Sequence, residues 1–312
     1  VGSYNFFENG TLNANTTVSF ASVPTVARWE YSFTVGGAGW GLASSTYVQQ
    51  FSVASQASAS RGMFFKSDGT KMYITDTTTP YIYQYTLSTA WDVSTASYDT
   101  VSYNLTTGTP NEQNTEGMFF KSDGTKMYTV GPDQAKVWQF TLSTAWDLST
   151  ISYASKVFSV SSQQSAPVGV FFKTDGTIMY VLGKTGEEVN QYALSTAWDV
   201  STASYTKVIS VGSQITEPRD IHFKDDGTKM YITGWTGAYV YQYTLSTPWD
   251  VGTFSYDSVS AFMNGNPNAL YIKPDGTKLY QLNVNYVKEY DILAPYTLTL
   301  PSSVKSLPTA TI

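Results

Sequence analysis

Apolar and polar positions fall into short runs separated by turn residues, and the same runs return five times. The hairpin text reads GMFFKSDGTKMYIT from Gly62, GMFFKSDGTKMYTV from Gly117 and GVFFKTDGTIMYVL from Gly169. It returns as DIHFKDDGTKMYIT from Asp220 and ALYIKPDGTKLYQL from Ala269. Each copy is an apolar strand, an Asp-Gly turn and a second apolar strand, which is a strong local hairpin signal. The turn aspartates, Asp68, Asp123, Asp175, Asp226 and Asp275, lie 55, 52, 51 and 49 residues apart.

A third run follows each hairpin, from YIYQYTLS at Tyr81 to YVKEYDIL at Tyr286. A fourth run is announced by Trp-Asp and ends at Tyr98, Tyr153, Tyr205 and Tyr256. The copy missing from the end stands at the front, as GWGLASSTY ending at Tyr47, with Trp40 in the place of Trp91. Four short strands per unit of about 50 residues describe a propeller blade.

The reading is therefore all-β: a five-bladed β-propeller of four-stranded blades, over residues 40–294. The N-terminal strand around Tyr47 completes the last blade and closes the ring, which hides edges that an open array would expose. An open solenoid of stacked repeats has no need of a split terminal unit. Residues 1–39 form a β-rich arm and residues 295–312 an extended tail. Both lack the repeat and are expected to pack on the ring or to join it to neighbours.

Composition narrows the chemistry. The 312 residues include no Cys and one His, so disulfides, thiolate metal sites, cysteine nucleophiles and multi-histidine centres are excluded. A net charge of −6 argues against a nucleic-acid partner. No apolar stretch is long enough for a helical membrane span. The chain begins without Met, with no visible signal peptide, as a processed or truncated chain would.

Most repeated residues read as scaffold. The Asp-Gly pairs supply tight turns and the flanking lysines keep them solvated; calcium would need several oxygens converging on one ion. The five Trp of the Trp-Asp positions read as packing wedges, with a sugar-stacking ring as the alternative. Between the repeats, the informative positions are those that differ. The residue before each inner strand is Arg61, Glu116, Val168, Arg219 and Asn268 in turn, and it falls near one mouth of the channel. The fourth copy is the most divergent: EPRDIHF places Glu217, Arg219, Asp220 and His222 together, and Trp235 follows in GWTGAY. Arg61, Glu116, Glu217, Arg219, Asp220, His222 and Trp235 are thus the candidate ligand-binding set. A channel-mouth hydrolase or lactonase would have to draw on Glu116, Glu217, Asp220 and His222, and no GxSxG sequence occurs. The three Asn-x-Ser/Thr sequons are expected by chance in a chain so rich in Ser and Thr. No catalytic residue, metal or cofactor is assigned, and the chain reads as non-enzymatic.

The FKSDGTKMY core resembles YVTN-type and WD-like propeller repeats. The longer unit, DGTKMY…YQYTLSTAWDVSTASY, is similar to repeats in virion and tail proteins of marine bacteriophages and in bacterial surface-type proteins. That resemblance implies a structural or adhesive protein, in the virion or extracellular, present in many copies or as a homo-oligomer. The arms would contact other virion subunits, and the propeller a host-surface glycan or receptor. A free lectin-like propeller is the alternative.

Overall fold

A computed structural model describes residues 11–12, 40–42, 45–107, 110–292 and 296–297. In chain order the strands are β1 (Thr11–Leu12), β2 (Ser45–Ser52), β3 (Ser60–Phe65), β4 (Lys71–Asp76), β5 (Tyr81–Leu87) and β6 (Ala96–Asn104). Next come β7 (Gly117–Phe120), β8 (Lys126–Gly131), β9 (Lys136–Leu142) and β10 (Ile151–Ser159). They are followed by β11 (Pro167–Phe172), β12 (Ile178–Gly183), β13 (Glu188–Leu194) and β14 (Ala203–Ser210). The rest are β15 (Pro218–Phe223), β16 (Lys229–Gly234), β17 (Tyr239–Leu245), β18 (Phe254–Phe262), β19 (Ala269–Ile272), β20 (Lys278–Leu282), β21 (Tyr286–Ile292) and β22 (Tyr296–Thr297).

Strands β3 to β18 make four antiparallel meanders, blades I to IV, and β19-β20-β21-β2 makes blade V. The split repeat therefore closes the ring. Tyr47 of β2 lies opposite Tyr290 of β21, as Tyr98 lies opposite Tyr85 in blade I and Tyr205 opposite Tyr192 in blade III. The inner strands β3, β7, β11, β15 and β19 follow one another around the axis, and β19 meets β3. The expected arms, residues 1–39 and 295–312, lie almost wholly outside the described residues. What is described of them is a two-residue antiparallel pairing, Thr11 opposite Thr297 and Leu12 opposite Tyr296.

Each blade clasps the next with repeated side chains. The buried Tyr73 hydroxyl of blade I donates to the Trp146 carbonyl of blade II at 2.5 Å. Tyr128, Tyr180, Tyr231 and Tyr280 do the same to Trp198, Trp249, Trp40 and Trp91. The mid-strand glutamines act beside them. Gln84, Gln139, Gln191 and Gln242 each accept a backbone N–H from the neighbouring blade, at Leu148, Val200, Val251 and Leu42. Glu289 takes that role toward Val93. Both series run all the way round, which is why a nearly identical unit can make a ring.

The Trp residues are packing wedges, and their backbone explains their spacing. Trp91, Trp146, Trp198 and Trp249 have φ between 64° and 68°, a region that bulky residues rarely adopt. The conformation is held because the Trp N–H donates to the turn glycine carbonyl, as Trp198 does to Gly176 at 3.0 Å. The indole then lies flat on that glycine: a Cβ at Gly176 would sit 2.4 Å from the Trp198 ring. The following Asp caps a 3-10 turn, Asp199 accepting the Ser201 N–H at 3.1 Å. The turn lysines do more than stay solvated: Lys121 pairs with Asp123 at 2.6 Å and lies 5.9 Å from the Trp198 ring of the next blade.

The outermost strand of every blade carries a register shift, as between Tyr98 and Val101 in β6 and between Tyr47 and Gln49 in β2. Such bulges twist the free edges away from continued pairing with another sheet.

Candidate functional site

The channel is plugged where the next-to-last residue of each inner strand points to the axis. Phe64, Phe119, Phe171, His222 and Tyr271 form a closed five-membered ring of edge-to-face contacts. Their centroids are 5.4, 5.0, 5.3, 5.3 and 5.3 Å apart in turn, the last distance returning from Tyr271 to Phe64. Edge-to-face geometry sets the positive rim of one ring on the negative face of the next. His222 accordingly sits inside the channel, not at the mouth, and serves as an aromatic member of this ring. Burial pushes its imidazole down to about 3, so it is neutral near pH 7.

One layer up, glycine or alanine stands on the inner strand of four blades, at Gly62, Gly117, Gly169 and Ala269, and Asp220 stands in the fifth. Its Oδ1 accepts the Ile221 N–H at 2.8 Å and its Oδ2 the Leu270 N–H at 2.9 Å. The carboxyl bridges blades IV and V. Removal from bulk water pushes it up to about 7, although part of its surface still faces a small cavity in the channel. That cavity, about 10 Å³, has room for roughly one water and is bounded by Asp220, His222, Tyr271 and apolar residues such as Met63 and Met118.

Above this layer is the mouth. Arg219 of blade IV reaches across to Glu116 of blade II, Nη1 to Oε2, at 3.2 Å, with both side chains largely buried. The Arg219 guanidinium lies 4.7 Å from the Trp235 ring centroid. Trp235 is set there by its backbone N–H, which donates to the Glu217 carbonyl at 3.0 Å. Glu217 itself has φ 62° and its carboxylate pairs with Lys184 of blade III at 3.6 Å. Asn268 spans to blade I, its amide donating to the Ser60 carbonyl at 2.9 Å. Arg61 is partly exposed and has no acidic partner among the described residues.

The structure thus unites Arg219, Glu116 and Trp235, with Arg61 at the corresponding position of blade I. It places Asp220 and His222 below them and turns the Glu217 carboxylate to a surface pair. The four residues considered for a hydrolase are not brought to one point. Among the described residues no group of three His, Asp or Glu side chains is placed to hold a metal ion.

One notable residue escaped the sequence reading. Glu112, between blades I and II, is fully buried; its Oε2 accepts from Trp138 Nε1 at 3.2 Å and its Oε1 has no partner. Desolvation pushes it up to about 7. The signal was present as Trp138, the one Trp in a third strand, whose indole N–H needs an acceptor once buried.

No protein-family model and no curated protein matches the chain. Solved structures do. A Bacteroides fragilis protein provisionally named a 6-phosphogluconolactonase is 14% identical, with TM-score 0.48 over 77% of this chain and 82% of that one. A Bacteroides uniformis protein with the same provisional name is also 14% identical, with TM-score 0.45 over 74% and 71%. The periplasmic gluconolactonase of Pseudomonas aeruginosa is 13% identical, with TM-score 0.42 over 66% of this chain and 55% of that one. Reading the chain as non-enzymatic needs correction on this finding. Proteins with these names stand among its structural neighbours, so the exclusion is withdrawn. At such identity the likeness concerns the fold and brings no activity to this chain.

Proposed function

We propose that the chain is a virion-exposed display and attachment protein of a bacteriophage, with a host-surface glycan as its target. The observation that carries this reading is the contrast between ring and mouth. The ring is built from repeated side chains that satisfy one another, and the aromatic plug closes its channel. The residues that break the repeat, Arg61, Glu116, Arg219 and Trp235, gather at one end. A rigid body with one distinctive face suits presentation of a binding surface. The resemblance of the repeat to virion and tail proteins supplies the setting.

Attachment through the five-fold Trp ring is no part of this reading, because Trp146, Trp198 and Trp249 are buried under the blade seams. A free carbohydrate-binding propeller has one observation in its favour: blade IV carries an aromatic ladder, Tyr241, Tyr239 and Phe262, whose last member is 64% exposed.

The test is immunogold electron microscopy of purified particles with antibody raised against residues 40–294, together with an adsorption assay. Labelled particle surfaces and blocked adsorption are expected. Particles free of the protein would refute the virion assignment.

A further inference from the structure

We infer that the channel mouth is a receptor site for a single carboxylate carried on a sugar, an inference that rests on the attachment reading above. Two buried N–H donors in this cluster lack acceptors: Arg219 Nε and Trp235 Nε1. Buried donors are almost always paired, so two orphans in contact mark the place of an absent acceptor. Arg219 engages Glu116 through Nη1 alone. The Nε edge of the guanidinium, the side that receives a planar carboxylate in bidentate fashion, is therefore unused.

At the mouth Arg219 pairs with Glu116 and Lys184 with Glu217, while Arg61, at the corresponding position of blade I, has no acidic partner among the described residues. The anion Arg219 already holds is a planar carboxylate, so a second carboxylate fits the same fork. A sugar is the carrier because the partly exposed Trp235 ring offers an apolar face beside the fork. The orphan donors are closed to solvent, so the Trp235 indole must move off Arg219 as the ligand enters.

Isothermal titration of the full chain tests this with three probes: a glucuronic-acid oligosaccharide, its neutral glucose counterpart and a sulfated counterpart. The acidic sugar should bind at least about tenfold more tightly than the other two. Arg61→Ala and Trp235→Phe should each weaken it by about tenfold, with melting temperature monitored in both. Glu116→Gln should tighten binding, since it removes the competing carboxylate; a purely structural Glu116–Arg219 pair would give weaker binding instead. Equal binding of the neutral and acidic sugars would overturn the carboxylate site and leave attachment to glycans standing. Equal binding of the sulfated sugar would overturn the planar-carboxylate assignment. If no sugar binds while added protein still blocks adsorption, the site is wrong and the attachment reading survives; if adsorption is also unaffected, both fall.

Discussion

The Tyr128 hydroxyl donates to the Trp198 carbonyl at 2.8 Å across the seam between blades II and III, and Trp198 in turn lies flat on Gly176. One residue thus belongs to two blades at once: its ring fills its own hairpin and its carbonyl anchors the neighbour. Tyr128→Phe removes the closer donor and leaves the Trp198 carbonyl only the longer contact from Lys126 Nζ at 3.4 Å. It should cost about 1–2 kcal/mol in urea unfolding. An unchanged midpoint would show that the seam is held by packing alone.

Gly176→Ala tests the other half of that relationship. Gly176 has φ 75°, and the added methyl would meet the Trp198 ring. Loss of more than about 1 kcal/mol is expected, and Trp198→Ala should cost about 3–5 kcal/mol. Calorimetry of both variants measures this; a neutral Gly176→Ala would contradict the stacked geometry.

Glu112 makes stability fall as pH rises. Its folded pKa, about 7, lies above the 4.5 ordinary for a glutamate, so the neutral form is the one the fold accommodates. The full contribution is present below about pH 4.5 and is lost as pH rises through 7. Replacement by Gln should therefore stabilise the protein by about 3 kcal/mol at pH 8 and by little at pH 4.5. Denaturant titrations at the two pH values decide the matter, and a pH-independent difference would rule out the buried acid as its source.

His222 works in the opposite sense. Its pKa falls from 6.5 to about 3 on folding, so its contribution is present above pH 6.5 and is lost as pH falls. His222→Phe restores the residue found in three sibling blades. The variant should gain about 2 kcal/mol over the parent at pH 5 and far less at pH 8. Lower stability of the variant at both pH values would mean that the imidazole has a partner the aromatic ring does not reveal.

The five repeats made the fold legible. The displaced Trp40 and Tyr47 showed where the ring closes, because a missing fourth strand must be supplied by something. The site was less legible. Spacing placed Arg219, Asp220 and His222 together in sequence, yet strand pairing sends them to three levels of the channel. Arg219 finds its carboxylate 103 residues away, at Glu116 on the far side of the axis. No local pattern encodes such a pair. Glu112 was missed for a similar reason, since its partner Trp138 is 26 residues distant and only burial makes their contact consequential.

Closure of the ring by β2 underlies both the plugged channel and the single distinctive mouth, and truncation tests it directly. A chain beginning at Trp40 keeps the Trp40 carbonyl that accepts from Tyr231, the Leu42 N–H that donates to Gln242, and β2. A chain beginning at Ala54 loses all of these and bares the edge of β21. Thermal unfolding should show the first with the same single transition as the full chain. The second should show a lower, broadened transition, with self-association through the bared edge. If both truncated chains melt as monomers at the full-chain temperature, β2 does not close the ring.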